Sequence, residues 1–421
     1  MPKVVSLEKA SGRPTGGGPG ARRRRRRPRT ALVLGGGGVT GGVYEIGALR
    51  AFDLLAVNRT ANDFDVYVGT SAGAMVASLA ANGVTPEEMM RVINQQAPTP
   101  FRDLNMGSVL RPNYRELARS AALMPLRLMS LARQLAGQIG TRGAMDLVLG
   151  LAEGLPSGLY DGSPLEAYLA DTLDQADRTN DFRRLAAELY VTATDLDNGE
   201  RVVFGGSGND DVPISEAVAA SAALPMVFRP REIRGRHLVD GGIRSTTNLD
   251  LAVERGAKLI LVINPLVPYV NDLSSPIDTA AGTRTRRISD MGFAQIGYQS
   301  FKLLAHQRLH EAVHQWKERY PGVDILLIEP DPNDQLMFET NILNFTRRVD
   351  IARHGFESVT LKLARDYERL RSILSRHDIE ISLARVRRVT EQAERVPERT
   401  RAWRRIFEQT TGALLRQSEE G

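Results

Sequence analysis

The chain contains no cysteine. Disulfides, thiolate metal sites and a cysteine nucleophile are therefore excluded, and the composition is compatible with a reducing compartment. No run of eighteen or more apolar residues occurs, so no transmembrane helix is expected. The N-terminal charges are not followed by the apolar stretch of a secretory signal. Aromatic residues are few, at 6%, and no internal repeat is found. The expectation is a soluble, cytoplasmic protein that is peripheral at a membrane if it meets one.

What is abundant is arginine, and it is unevenly placed. Residues 1–30 hold ten Lys and Arg, including the run Arg22 to Arg27, against one acid, Glu8. The whole chain is only +5, so the body is mildly acidic and the basic balance belongs to a tail. Such a tail can touch acidic lipid, nucleic acid or a partner, or simply remain a solvated arm. Nucleic acid is not the expected partner of the body. At 421 residues with 42% hydrophobic content, the chain can bury a sizeable core and still carry appendages.

Residues 1–29, rich in Gly, Pro and Arg, read as a disordered tail. Ala31-Leu32-Val33-Leu34 reads as a buried strand meeting a glycine cluster. Helical spacing follows over Val43 to Leu55, at Ile46, Leu49, Phe52 and Leu55. Asp65 to Val68 reads as a second strand, running into Gly69-Thr70-Ser71-Ala72-Gly73. The stretch Ala74 to Ala81 reads as a helix stopped near Asn82-Gly83. Further strands are expected at 189–193, 201–204, 237–239, 259–263 and 324–328. The alternation predicts an α/β fold: a mostly parallel central sheet flanked by helices, with a helical insertion and a helical C-terminal region. The expected organisation is a tail over 1–29, a catalytic domain over 30–330 with a cap insertion at about 100–160, and a helical region over 331–421.

Within the insertion, Leu117, Ala121, Met124, Leu128, Leu131, Leu135 and Ile139 step by three and four along one helical face. Pro125 is expected to split this helix in two. The face either packs on the core or serves as a lid or membrane-touching surface over 117–139.

Three motifs carry chemistry. Gly69-Thr70-Ser71-Ala72-Gly73 matches G-x-S-x-G, a sharp strand-to-helix turn that exposes a serine at a helix N-terminus. Gly35 to Gly38, continuing through Val39-Thr40-Gly41-Gly42, lets backbone N–H groups face an anion. Gly36-x-Gly38-x-x-Gly41 also satisfies the dinucleotide fingerprint, but the second strand leads into Ser71 and not to the acid that fingerprint needs. Asp240-Gly241-Gly242 places a carboxylate at the end of an apolar strand; taken alone it is an ordinary turn sequence.

Together these blocks resemble the patatin-like phospholipases over roughly residues 30–265. Ala193 to Gly199 and Ser221-Ala222-Ala223-Leu224-Pro225 are lesser matches. The resemblance implies a Ser–Asp dyad without histidine: Ser71 as nucleophile, Asp240 as base, and an oxyanion hole from Gly36, Gly37 and Gly38. Gly69 and Gly73 flank the nucleophile elbow, and Gly241 and Gly242 complete the D-G-G motif. It implies no metal and no cofactor. The implied substrate is a phospholipid or other acyl-ester lipid. From the residues themselves, the basic tail and the 117–139 stretch are the candidate membrane-facing segments. One position departs from the family, which usually carries a basic residue where this chain has Thr40; Arg50 is a candidate substitute.

Six histidines are present: His237, His306, His310, His314, His354 and His377. His306, His310 and His314 recur every fourth residue after Asp240, so they could furnish a triad base or a metal site, but a plain surface helix is the expected reading. Two other classes remain open from sequence: a non-catalytic lipid-binding protein on the same fold, and a dinucleotide-binding oxidoreductase.

Overall fold

A computed structural model describes residues 27–94, 110–137, 150–274, 276–279, 283–339 and 346–394. The arginine run before Arg27 and the chain beyond 394 lie outside these residues. The main sheet comprises β1 (Thr30–Leu34), β2 (Val66–Thr70), β3 (Glu188–Asp195), β4 (Arg201–Phe204), β5 (Arg231–Ile233), β6 (Arg236–Asp240), β7 (Leu259–Ile263) and β8 (Asp324–Ile328). Its order is β8-β7-β1-β2-β3-β6-β5, with β4 also paired to β3. The first four pairings are parallel and those of β4, β5 and β6 are antiparallel. This is the expected mixed α/β fold, with a central sheet flanked by helices and a helical C-terminal region.

Strands β1, β2 and β7 are buried at every residue, which is why they read as continuous apolar runs and not as alternating ones. Their alternation appears instead in which layer each residue joins. Leu32, Leu34, Tyr67, Leu261 and Ile263 enter one hydrophobic cluster, while Ala31, Val33, Val66, Val68, Ile260 and Val262 enter the other.

The first cluster is covered by α1 (Gly38–Leu55), α2 (Ala72–Ala81), α3 (Pro86–Asn94), α5 (Ser163–Leu173), α6 (Ile214–Ser221) and the C-terminal α9 (Arg348–Arg365). The second lies under α7 (Leu249–Glu254) and α8 (Phe293–Arg319). Helix α3 starts with a reciprocal capping box. The Thr85 N–H donates to Glu88 Oε2 at 2.8 Å, and the Glu88 N–H donates back to Thr85 Oγ1 at 3.2 Å. Among the described residues, no helix is long and apolar enough to cross a membrane.

Two expectations need correction. Helix α1 begins at Gly38, five residues earlier than the apolar spacing indicates, because the glycine cluster itself turns into the first helical turn. And α4 (Tyr114–Gly137) runs unbroken through Pro125. No described side chain of α4 is buried, and Leu126, Leu128 and Met129 are exposed, so this helix is not packed on the core.

The C-terminal helices belong to the same hydrophobic layer as α1. Helices α1 and α9 cross at glycines: a Cβ on Gly47 would lie 2.4 Å from the Ala352 carbonyl oxygen and 2.7 Å from the Phe356 nitrogen. Replacing a mid-helix glycine by alanine ordinarily gains about 1 kcal/mol. Here the clash is with main-chain atoms that cannot rotate away, and overpacking of this kind costs about 1–3 kcal/mol. Gly47→Ala is therefore expected to lower the melting temperature despite its better helix propensity, as thermal denaturation followed by circular dichroism will report.

Candidate active site

The register of β3 determines where the two motif side chains meet. On one edge of β3, Thr70 at the end of β2 pairs with Thr192, and Asp240 at the end of β6 pairs with the next residue, Ala193. Strand β4 pairs with the same stretch of β3, so it takes the opposite edge. Strands β2 and β6 thus approach end to end from opposite directions. The residue after β2 is Ser71, and its Oγ donates to Asp240 Oδ2 at 2.5 Å.

Ser71 sits at the N-cap of α2 with φ 57° and ψ −126°, a conformation that costs a non-glycine residue about 1–3 kcal/mol. The surroundings enforce it. The Ser71 N–H donates to Ser221 Oγ at 2.8 Å, and both residues are buried. A Cβ on Gly73 would fall 2.4 Å from the Gly35 carbonyl oxygen, so the elbow and the glycine loop can touch only without that side chain. Behind them, Asn248 Nδ2 lies 3.0 Å from both Thr70 Oγ1 and Thr192 Oγ1, fastening β2 to β3 immediately before the turn.

Asp240 is 4% exposed. Its Oδ1 accepts the Gly242 N–H at 2.7 Å, while Gly241 packs so tightly that a Cβ would come within 2.3 Å of the Thr192 carbonyl. The D-G-G turn thereby aims one carboxylate oxygen at Ser71 and ties down the other. Burial pushes the Asp240 carboxyl up to about 6, although the hydrogen bonds from Ser71 and Gly242 pull it down.

Gly36, Gly37 and Gly38 lie beside the serine, a Cβ on Gly36 being 3.3 Å from that of Ser71. They lead into the N-terminus of α1, whose first N–H groups have no acceptor within the helix. Two turns further on, Glu45 is fully buried, and burial raises its carboxyl well above the usual range.

Ser71, Asp240 and the three glycines open into a cavity of about 190 Å³. Its other walls are mostly apolar and include Val43, Met75, Val92, Leu165, Val218 and Phe301, with Tyr168, Thr246 and Tyr298 the other residues that carry hydroxyls. No lysine, arginine or histidine lines it among the described residues. Thr40, where the family usually has a basic residue, is buried. Arg50 does not take over that role: it is bound to Glu87 at 2.7 Å and is absent from the cavity wall.

The histidines are engaged elsewhere. His306 and His310 face Glu329, His314 pairs with Glu318, His354 with Asp334, and His377 with Asp324. His237, a strand residue as expected, lies 3.5 Å from Asp197. None stands between Ser71 and Asp240, which touch directly.

Residues 32–253, more than half of the chain, match the family described as patatin-like phospholipase. The chain belongs to that family. Membership removes the dinucleotide reading of Gly36-x-Gly38-x-x-Gly41. An uncharacterized protein of Bacillus subtilis (strain 168), YqhO, is 27% identical over 216 residues, or 49% of this chain and 62% of that relative. The chain therefore spans less than two thirds of that relative's length. Among solved structures, VipD from Legionella pneumophila aligns over 79% of this chain and 66% of its own, at TM-score 0.33 and 15% identity. ExoU in complex with SpcU, from the type III secretion system of Pseudomonas aeruginosa, aligns over 84% of this chain and 59% of its own, at TM-score 0.30 and 16% identity. Scores this low add nothing to the functional reading.

Sequence reasoning on this patatin-like chain missed the support groups. In the sequence Ser221 stands out only as part of a lesser match, and Asn248, in a left-handed conformation at φ 44°, carries no signal beyond its preference for such turns.

The burial of Asp240 makes a stability prediction. Its folded value of about 6 exceeds the unfolded one of about 3.9. The folded state therefore holds its proton more tightly, and stability falls as pH rises from about 4 to about 6. Asp240→Asn removes the buried charge and keeps groups that can meet Ser71 and Gly242. It is expected to melt higher than wild type at pH 8, with the gap closing below pH 4. Paired thermal melts across this range check the sign.

Proposed function

We propose that the chain hydrolyses the acyl ester of a phospholipid or related lipid, with Ser71 as nucleophile and Asp240 as base. The observation that carries this reading is the direct hydrogen bond from Ser71 Oγ to Asp240 Oδ2 on the wall of a mostly apolar cavity. A serine hydroxyl attacks only with a base in contact. A carboxylate lifted to about 6 is a better proton acceptor than an ordinary aspartate and is still ionised at neutral pH.

The chemistry follows from the geometry. Ser71 Oγ adds to the ester carbonyl carbon as its proton passes to Asp240 Oδ2. The carbonyl oxygen becomes an oxyanion held by main-chain N–H groups of Gly36, Gly37 and Gly38; loss of one such donor typically costs about 2.7–4 kcal/mol of barrier. Collapse breaks the ester C–O bond, and the departing alkoxide takes the proton from Asp240. Water, deprotonated by Asp240, then attacks the acyl-serine; the fatty acid leaves, and the proton returns to Ser71 Oγ. The acyl chain occupies the apolar cavity. Because that cavity has no lysine or arginine, phosphate recognition by charge would have to occur outside it, and neutral glycerides and lysophospholipids are substrates on the same terms. No metal or cofactor enters these steps. The exposed apolar side chains of α4, with the basic tail, supply a surface for meeting a membrane.

A second reading, a lipid-binding protein without turnover, is favoured by one feature: Thr40 in place of a basic residue. One experiment separates the two. Wild type is expected to release fatty acid from phospholipid vesicles or lysophospholipid micelles, with a rate on a soluble short-chain ester that rises with pH through about 6 as Asp240 ionises. Ser71→Ala should lose about a thousandfold or more in kcat while retaining the fold by circular dichroism. A folded wild type that binds vesicles but turns over no ester assigns the site to lipid binding alone.

A further inference from the structure

Outside the serine site, one group of side chains has the composition of a metal centre. His306 and His310 are one turn apart on α8, their rings 4.1 Å between centroids. Opposite them, Glu329 is the residue that follows β8. His310 Nε2 is 2.9 Å from Glu329 Oε2 and His306 Nε2 is 3.8 Å from Oε1. The three ligand atoms lie within 4.8 Å of one another. Tetrahedral zinc, with bonds of about 2.0–2.1 Å, holds its ligand atoms about 3.3 Å apart. The observed spacings bracket that value, so small side-chain rotations suffice. We infer that His306, His310 and Glu329 bind a divalent cation of the zinc type, tying α8 to the carboxyl end of the sheet.

Two further observations support the assignment. Glu329 is already oriented from behind: Asn264, which follows β7, donates Nδ2 to Glu329 Oε1 at 2.8 Å, and Lys362 Nζ holds the Glu329 carbonyl oxygen at 2.9 Å. Such outer contacts fix a ligating carboxylate in place. The glutamate side chain is 11% exposed, His306 26% and His310 49%, so the centre is anchored on one side and open to solvent on the other, with room for water to complete the coordination. Two imidazoles and a carboxylate suit zinc better than calcium or magnesium.

The centre acts on the same end of the sheet as the serine. Helix α8 also carries Tyr298 and Phe301, which line the acyl cavity. Asn264 touches the glycine loop, its Oδ1 lying 3.2 Å from where a Gly35 Cβ would be. A cation at Glu329 therefore braces one cavity wall. His314, the third histidine of the four-residue series, is turned to solvent against Glu318 and takes no part.

The test uses the full-length chain without a histidine tag, titrated with zinc chloride by calorimetry. Wild type is expected to bind one zinc per chain. His310→Ala and Glu329→Gln should each weaken affinity at least about tenfold, while His314→Ala binds as wild type does. Cobalt(II) should give the visible bands of a low-coordinate site in wild type and lose them in His310→Ala. His310 is half-exposed, so its replacement leaves the fold intact, and Glu329→Gln retains an acceptor for Asn264. Ser71→Ala should bind zinc unchanged, so the outcome is read independently of ester hydrolysis. A wild type that takes up no zinc, or a His310→Ala variant that binds as tightly as wild type, overturns the assignment.

Discussion

Along one edge of β3, two strands arrive from opposite ends and stop at adjacent positions, Thr70 beside Thr192 and Asp240 beside Ala193. The chemical arrangement depends on that meeting. A parallel strand alone would present Ser71 above the sheet with no base, and an antiparallel strand alone would present Asp240 with no nucleophile. Because a ladder position is fixed to within one residue, a slip of either strand would separate the two side chains by a residue's rise, roughly 3.3 Å. The Asn248 bonds to Thr70 and Thr192 and the Ser221 bond to Ser71 all resist such a slip.

The same packing sets the electrostatics. Asp240 is enclosed by the turn that positions it, and enclosure is what lifts its carboxyl to about 6. A looser, wetter site would hold an ordinary aspartate, ionised but a weaker acceptor. The strained Ser71 backbone and the buried charge are both unfavourable for folding, and they occur where β1, β2 and β7 supply the most completely buried part of the sheet. The cavity continues this economy of polarity. Beyond Ser71 and Asp240 its lining is mostly apolar, as a site for an acyl chain requires.

Much of this was legible in the chain because the relevant signals are local. G-x-S-x-G announces a turn whose crowding against Gly35 only glycine at position 73 relieves, and the buried strands read as unbroken apolar runs. The pairing of Ser71 with Asp240 came from resemblance, since nothing local links residues 169 apart; the register of β3 is its physical cause. What could not be read was set by tertiary contact. The early start of α1 at Gly38 depends on packing against the elbow. Pro125 stays within α4, whose described side chains are half-buried or exposed and which is held to residues 153–157 through Glu116 and Arg127. The histidine series was visible as a pattern, yet only the position of Glu329 after β8 separates His306 and His310 from His314.

The most direct measurement is to treat the folded protein with a fluorophosphonate and locate the adduct by mass spectrometry of its peptides. A nucleophilic serine held against a buried carboxylate predicts a single covalent adduct on Ser71, absent in Ser71→Ala and formed much more slowly in Asp240→Asn. An adduct on another residue, or equal labelling rates in wild type and Asp240→Asn, would contradict the account.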